Sequence, residues 1–160
     1  MKESDLYEIL LQYNHIFKDT DEVYHRLAGA FGLSNCAFWI LYLLRETSRE
    51  YTQAGICEVL QLPRQTVNSA LKKLQSLGYI RMESDGKNQK NKLLRLTSEG
   101  IHFASETVDL VFAAEQNTLK QFSAQERKTF IEINQKYCQG MRREAEKIIQ
   151  KLPGKPSSQK

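Results

Sequence analysis

The side chains best suited to specific hydrogen bonding lie in one polar run, RQTVNSALKKLQS, at positions 64–76. At about 100° per residue, a helix here gathers its apolar residues on one side and its amides and hydroxyls on the other. Asn and Gln amides can form paired hydrogen bonds with adenine, and Ser and Thr hydroxyls can contact several bases. A plain solvent face would more often carry Glu and Lys, so the pattern favours base reading. The candidate base-reading residues on this face are Gln65, Asn68 and Ser69.

The residues around this run predict a helix-turn-helix. Thr52 is a good N-cap for a preceding helix, whose apolar residues are expected to face inward. These residues are Ile56, Val59 and Leu60. Pro63 suits the start of the next helix because its missing N–H would otherwise be unpaired, and Gly78 suits a left-handed cap at its end. The inward face of that second helix is formed by Val67, Ala70, Leu71, Leu74 and Leu77. Two helices in this order are a known way of placing one helix in the major groove of DNA.

A hairpin with a basic loop is predicted next. Residues 79–84 alternate with Ile80 and Met82 on one face, and residues 92–97 alternate through Leu94 and Leu96. The loop between them, DGKNQKN, begins with a turn-forming Asp-Gly pair. A polar hairpin loop is ordinarily only a loop, but directly after a helix-turn-helix it is the expected position of a wing that contacts phosphates or the minor groove. The candidate phosphate or wing contacts are Arg64, Lys72, Lys73, Lys87, Asn88, Lys90 and Lys92.

Positive charge is concentrated in the same stretch. The chain has 23 Lys and Arg against 19 Asp and Glu, a net charge of +4. Residues 64–95 hold eight basic and two acidic residues, a local net of +6, so the remainder of the chain is left with −2. Such asymmetry is typical of a polyanion-binding element, although a solvated charged face is the commoner explanation for a lysine-rich loop alone.

Long amphipathic helices flank this region. The first thirty residues carry an apolar stripe in steps of three and four, and residues 35–46 are apolar on nearly every side, as in a buried helix. One further helix is expected from Thr97 or Ser98 through Leu119, and another after the capping box from Ser123 to Glu126. The predicted fold is mainly α with a small β-hairpin wing. Residues 1–32 and 98–152 form dimerisation helices, residues 33–97 form the winged helix-turn-helix and residues 153–160 form a flexible tail.

Several function classes find no support in the sequence. No stretch of 18 or more apolar residues and no signal peptide is present, which predicts a cytoplasmic protein without a membrane partner. Three distant cysteines form neither a disulfide framework nor a zinc pattern, and the histidines lack ligand spacing, so no metal is expected. No phosphate-binding glycine loop, nucleophile motif or paired carboxylates indicate an enzyme or a cofactor site.

From end to end the layout resembles the MarR family of bacterial transcriptional regulators, most specifically over residues 62–100, where LPRQTVNSALKKLQSLGYI is followed by a wing and LRLTSEG. The resemblance implies a homodimer with interlocked terminal helices that binds double-stranded DNA at a palindromic operator, usually as a repressor. By analogy it places Arg64, Gln65, Thr66, Asn68 and Ser69 on the base-reading part of the recognition helix, which adds Thr66 to the candidate base-reading residues. The commonest family wing has Asp-x-Arg where this chain has Asn88 and Lys90. Lysine lacks the planar fork of arginine, so phosphate contact is expected here more than minor-groove insertion.

How DNA binding is controlled has more than one interpretation. The family commonly has a pocket for a small aromatic effector, and the candidate residues for it are Tyr24, Phe31, Trp39, Tyr42 and His102. Aromatic residues on a buried helix are more often plain core. A redox-sensing regulator that uses Cys36, Cys57 or Cys138 is an alternative, and a winged helix that binds another protein is a second.

Overall fold

The computed structural model describes residues 3–46, 49–84 and 92–152. Its elements, in chain order, are α1 (Glu3–Ala30), α2 (Asn35–Arg45), β1 (Tyr51–Thr52), α3 (Gln53–Leu60), α4 (Arg64–Ser76), β2 (Ile80–Ser84), β3 (Lys92–Leu96), α5 (Ser98–Glu106), α6 (Val108–Lys120) and α7 (Ala124–Lys151). The predicted fold class, mainly α with a small β-hairpin wing, is confirmed. The predicted wing contacts Lys87, Asn88 and Lys90 and the predicted tail at 153–160 lie outside the described residues.

Side chains at the predicted positions begin and end the helices. The Ser34 hydroxyl accepts a hydrogen bond from a first-turn N–H of α2, and Thr52 does the same for α3, each at 3.2 Å. Before α7, Ser123 and Glu126 form a reciprocal capping box, with N···O distances of 2.7 and 3.2 Å. Gly78 has φ +75, which glycine adopts without a steric penalty. These features depend on neighbours in sequence, which is why the sequence predicts them.

The core of the first part of the chain forms around α2. Phe38, Ile40 and Leu41 are fully buried, together with Ile56 from α3 and the predicted inward face of α4 as far as Leu74. Two inward predictions are wrong, since Val59 is 47% exposed and Leu77 is 38% exposed. Around the axis of α3, Val59 lies about 60° from Ile56, on the side away from Leu60. Val59 therefore lies outside the face of this short helix that packs on the core. Leu77 follows the last residue of α4, where the chain turns away through Gly78.

The sheet has one strand more than the sequence predicts. Among the described residues its order is β1-β3-β2, and Tyr51 of β1 pairs with Leu94 of β3. Tyr51 is 6% exposed, so the short strand also closes one side of the core. A two-residue strand has no periodicity, which is why the sequence does not reveal it.

The predicted single helix from residue 98 to Leu119 is two helices, which corrects the sequence-based expectation. The break lies at the buried Thr107, whose φ and ψ are −130 and −72. Its hydroxyl donates to the Phe103 carbonyl at 2.7 Å, and this side-chain bond competes with the helical ladder. Directly after the break, Asp109 accepts two hydrogen bonds from Arg45 of α2, at 2.6 and 2.8 Å, and this contact anchors the start of α6.

The chain divides into two compact units between Phe112 and Ala113, within α6. In the first unit, Ala28 is the one buried hydrophobic residue of α1, and several large apolar side chains of that helix are exposed. In the second unit, none of the residues of α7, all of which are described, is buried. Among the described residues no single helix is long and apolar enough to cross a membrane; α1 and α2 pass such a test only jointly, across a 91° bend.

Candidate nucleic-acid interface

The exposed side of α4 carries the predicted base-reading residues. Val67, Ala70, Leu71 and Leu74 anchor the opposite side in the core. Gln65, Thr66 and Ser69 are exposed and Asn68 is half-buried, so their polar groups lie on a rigidly held surface. The Ser69 hydroxyl donates its proton to the Gln65 carbonyl at 3.0 Å. The hydroxyl oxygen of Ser69 can still accept a hydrogen bond. α4 therefore presents amide donors and acceptors and hydroxyl acceptors side by side, the groups that base edges require.

The N-terminus of α4 suits an anion. Its N-cap residue is Pro63, whose side chain makes no capping hydrogen bond, so first-turn N–H groups remain available. No first-turn residue of α4, a helix described throughout, is acidic. The positive end of the helix dipole therefore meets no negative side chain there, and a phosphate is the natural complement.

Four of the seven predicted phosphate or wing contacts lie on described elements. Arg64, Lys72 and Lys73 are exposed on α4, and Lys92 is exposed at the start of β3. The structure thus gathers cations along one helix and the base of the wing.

The charge count from the sequence needs a correction. It includes Arg81 and Arg95, but Arg81 forms an ion pair with Glu83 at 2.6 Å and Arg95 forms one with Glu50. Glu50 lies outside the stretch that was counted. With Glu50 included, the local net charge falls by one, from +6 to +5.

A close backbone contact fixes the wing relative to α5. Thr97 caps α5 by accepting from the Gly100 N–H at 3.0 Å, and its own N–H donates to the Tyr79 carbonyl at 3.0 Å. A Cβ on Gly100 would lie 1.9 Å from that carbonyl oxygen. Phe103 stacks on the Tyr79 ring with centroids 4.3 Å apart. Gly100 and Tyr79 are positioning residues that the sequence does not reveal, because only the packing of α5 on the start of the wing brings them together.

Four of the five candidate pocket residues belong to one aromatic cluster. Trp39 lies between Tyr24 and Tyr42, with ring centroids 5.0 and 5.1 Å apart, and all three contact Phe38. Phe31 also contacts Phe38, at 6.3 Å. The fifth residue, His102, has a 67% exposed side chain and lies 3.7 Å from Glu106 on its own helix. The cluster is continuous with the core, as the plain-core interpretation expects.

The thiols differ in environment. Cys36 is buried, and burial raises the pKa of its thiol. The nearby Cys57 raises this pKa further. A raised pKa leaves less of the reactive thiolate. Cys57 is half-buried and Cys138 is exposed. Within residues 3–46, 49–84 and 92–152, no three His, Cys, Asp or Glu side chains are grouped so that they could hold a metal ion.

Comparisons with known proteins found a matching family model and solved structures with the same fold. Residues 31–90, which include α2, α3, α4 and β2, match the MarR family model. No curated protein matches the chain significantly. A MarR family regulator from Neisseria meningitidis superimposes with a TM-score of 0.68 and 24% identity, over 85% of this chain and 94% of the other.

Two further structures share the fold. MepR of S. aureus in its DNA-binding conformation gives a TM-score of 0.70 and 22% identity, with 81% of this chain and 98% of the other covered. The transcriptional regulator BldR from Sulfolobus solfataricus gives a TM-score of 0.65 and 16% identity, with 87% of this chain and 99% of the other covered. The resemblance that the sequence indicates is confirmed: residues 31–90 match the MarR family model, and the chain has the same fold as solved MarR family regulators.

Proposed function

We propose that this protein is a sequence-specific DNA-binding transcription regulator that binds a palindromic operator as a homodimer and represses the adjacent genes. The observation that carries the proposal is the outward face of α4, an acid-free surface of amides and hydroxyls on a MarR-type winged helix. Gln65, Thr66, Asn68 and Ser69 read bases, and Arg64, Lys72 and Lys73 contact phosphates. Lys87, Asn88, Lys90 and Lys92 form the wing contacts. A regulator of this kind works in the cytoplasm and has no catalytic role.

The homodimer is supported by two long helices whose apolar surfaces have no cover within their own units. On α1, Leu6, Leu10 and Phe17 are 52%, 41% and 64% exposed. On α7, Phe130 and Ile133 are 48% and 60% exposed, in a unit that buries no residue of that helix. Apolar stripes of this length are costly in water, and a second copy can cover them. We assign residues 1–32 and 98–152 to this role, and residues 33–97 to DNA binding.

Charge favours pairing of α1 with α7 of a second copy. α1 carries six acidic and two basic residues, a net of −4, whereas α7 carries seven basic and four acidic residues, a net of +3. Opposite charges along the rims of two apolar stripes disfavour pairing of like helices and favour pairing of unlike ones. A two-fold dimer built in this way sets its recognition helices against half-sites about one helical turn, ~34 Å, apart.

Release by a small aromatic effector is the proposed form of control. The cluster of Tyr24, Trp39, Tyr42 and Phe31 supplies the apolar lining that such a ligand would need, with His102 as a polar group at the surface of α5. An effector must bind one spacing of the two lobes better than the other in order to shift DNA affinity. A ligand screen by thermal shift, with DNA release as the second measurement, tests this part separately from DNA binding.

Selection of bound sequences from a random duplex pool tests the central proposal. A recovered palindrome with half-sites one turn apart is expected, and it would report sequence preference and symmetry together. Recovery of no common sequence, together with binding that does not respond to salt, would instead favour a winged helix that binds protein, because DNA contacts release counterions.

A further inference from the structure

Four charged side chains form a connected network on the outer face of the sheet, at the base of the wing. Arg81 of β2 lies directly across from Arg95 of β3. The alternate residues Ile80 and Leu94 are buried on the other face. Two arginines in such a cross-strand position repel each other unless a carboxylate bridges them.

Both guanidinium groups form ion pairs with carboxylates. One Glu83 oxygen lies 2.6 Å from Arg81 Nε, and the other lies 3.9 Å from Arg95 Nε. Glu50, which directly precedes β1, accepts a hydrogen bond from Arg95 Nη2. Two positive and two negative groups therefore cancel, and the network presents no net charge to a polyanion.

Its exposure makes the network open to competition. The four side chains are between 38% and 60% exposed. Ion pairs in water contribute little to folding stability, because the two charges are already well solvated apart. A DNA phosphate offers a guanidinium the same bidentate geometry as a carboxylate does. Each exposed pair therefore contributes little to the stability of the sheet beyond relieving the repulsion between the two arginines.

The position of the network connects it to DNA. Glu83 is followed by Ser84, the last described residue of β2, and Ser84 pairs with Lys92 where β3 begins. The loop between these two residues is the predicted wing tip. Arg81 and Arg95 therefore lie on this hairpin three residues from the Ser84–Lys92 pair, on the face opposite to Lys92, and each freed guanidinium would add a contact there that any DNA sequence satisfies.

We infer that Glu83 and Glu50 act as internal competitors of DNA phosphate for Arg81 and Arg95, and that they lower sequence-independent binding. The inference rests on the proposed DNA-binding function and adds residues that set the strength of sequence-independent binding without contacting a base. A contact that any DNA sequence satisfies strengthens operator and random DNA alike, so its suppression lowers the overall, salt-sensitive affinity and leaves the ratio between the two DNAs unchanged.

The test measures binding of a random duplex by fluorescence anisotropy for the full-length protein and four variants. Glu83→Ala frees Arg81 and should steepen the salt dependence of log affinity by about 0.9, the value for one phosphate. The ratio of the DNA affinity of Glu83→Ala to that of the unmodified protein should accordingly grow roughly 3–4-fold as salt is lowered from about 200 to about 50 mM. Glu58→Ala is the matched control, because it removes the same charge from an exposed carboxylate of α3, and it should leave the slope unchanged.

Arginine variants separate competition from a general charge effect. Arg81→Ala should leave the slope of the unmodified protein as it is, whereas Arg81→Ala combined with Glu83→Ala should abolish the gain from Glu83→Ala. The inference is overturned if Glu83→Ala behaves like Glu58→Ala, or if Arg81→Ala alone makes the slope shallower by about 0.9, since Arg81 would then already contact phosphate. Absence of salt-sensitive binding by the unmodified protein would overturn the proposed function itself, which is a different result.

Discussion

Gly100→Ala is expected to destabilise the fold although alanine is the better helix former. Gly100 lies in the first turn of α5, where alanine would ordinarily stabilise the helix by roughly 0.5–1 kcal/mol. Here the added Cβ would lie 1.9 Å from the Tyr79 carbonyl oxygen and 2.8 Å from the carbonyl carbon. An ordinary contact needs at least 3.4 Å, so α5 and the start of the wing must separate by about 1.5 Å.

The cost follows from what has to move. The obstructing atom belongs to the backbone, and the same carbonyl accepts the Thr97 N–H at 3.0 Å, so no rotamer change can relieve the clash. Overpacking of this kind costs roughly 1–3 kcal/mol, and a backbone obstruction belongs at the upper end of that range. At about 2–4 °C per kcal/mol, a loss near 3 kcal/mol lowers the Tm by roughly 6–12 °C.

Gly29→Ala is the matched control for this prediction. Gly29 also lies in a helix of the first unit and is exposed, and no described atom outside its own surroundings in α1 lies within 4 Å of an added Cβ. It should therefore gain stability or remain neutral. Urea unfolding followed by far-UV circular dichroism, at one protomer concentration for all variants, gives both free energies of unfolding. If Gly100→Ala unfolds at the same urea concentration as Gly29→Ala, the packing of α5 on Tyr79 is not as described.

Three further predictions concern DNA contacts and pH. Asn68→Ala should weaken operator binding by roughly 1–3 kcal/mol and random-duplex binding much less, as measured by anisotropy; equal losses on both would exclude a base contact. Lys90→Ala should weaken both DNAs alike and make the salt dependence shallower by about 0.9, and an unchanged slope would exclude a phosphate contact. The hydrogen bonds from Arg45 lower the pKa of the Asp109 carboxyl, against the opposing effect of its burial. Because this pKa is lower in the folded chain than in the unfolded one, the stabilisation is complete above about pH 4 and is lost as pH falls through the lowered pKa. Asp109→Asn should lose that part of the acid dependence in urea titrations, by no more than about 1 kcal/mol because both side chains are roughly one-third exposed. An unchanged acid profile in Asp109→Asn would contradict this assignment.

Local patterns in the sequence determine most of the helical architecture. The hydroxyls of Ser34, Thr52 and Ser123 begin helices where the sequence predicts, because a cap depends on residues three positions away. The buried stripe of α4 as far as Leu74 follows from its spacing, and with it the exposure of Gln65 and Ser69. The direction of the candidate base-reading face is therefore a property of one helix, so sequence periodicity is enough to define it.

Contacts between distant residues could not be predicted in this way. Only the tertiary structure shows that Glu50 lies against Arg95, 45 positions away. The net charge counted from the sequence therefore overstates the positive charge that is free to meet DNA. Only packing shows that Gly100 meets Tyr79, or that the helix breaks at Thr107 where Asp109 pairs with Arg45. The physical reason is the same in each case. Caps and stripes are decided by neighbours along the chain, whereas ion pairing, close backbone approach and helix breaks are decided by which segments the fold brings together.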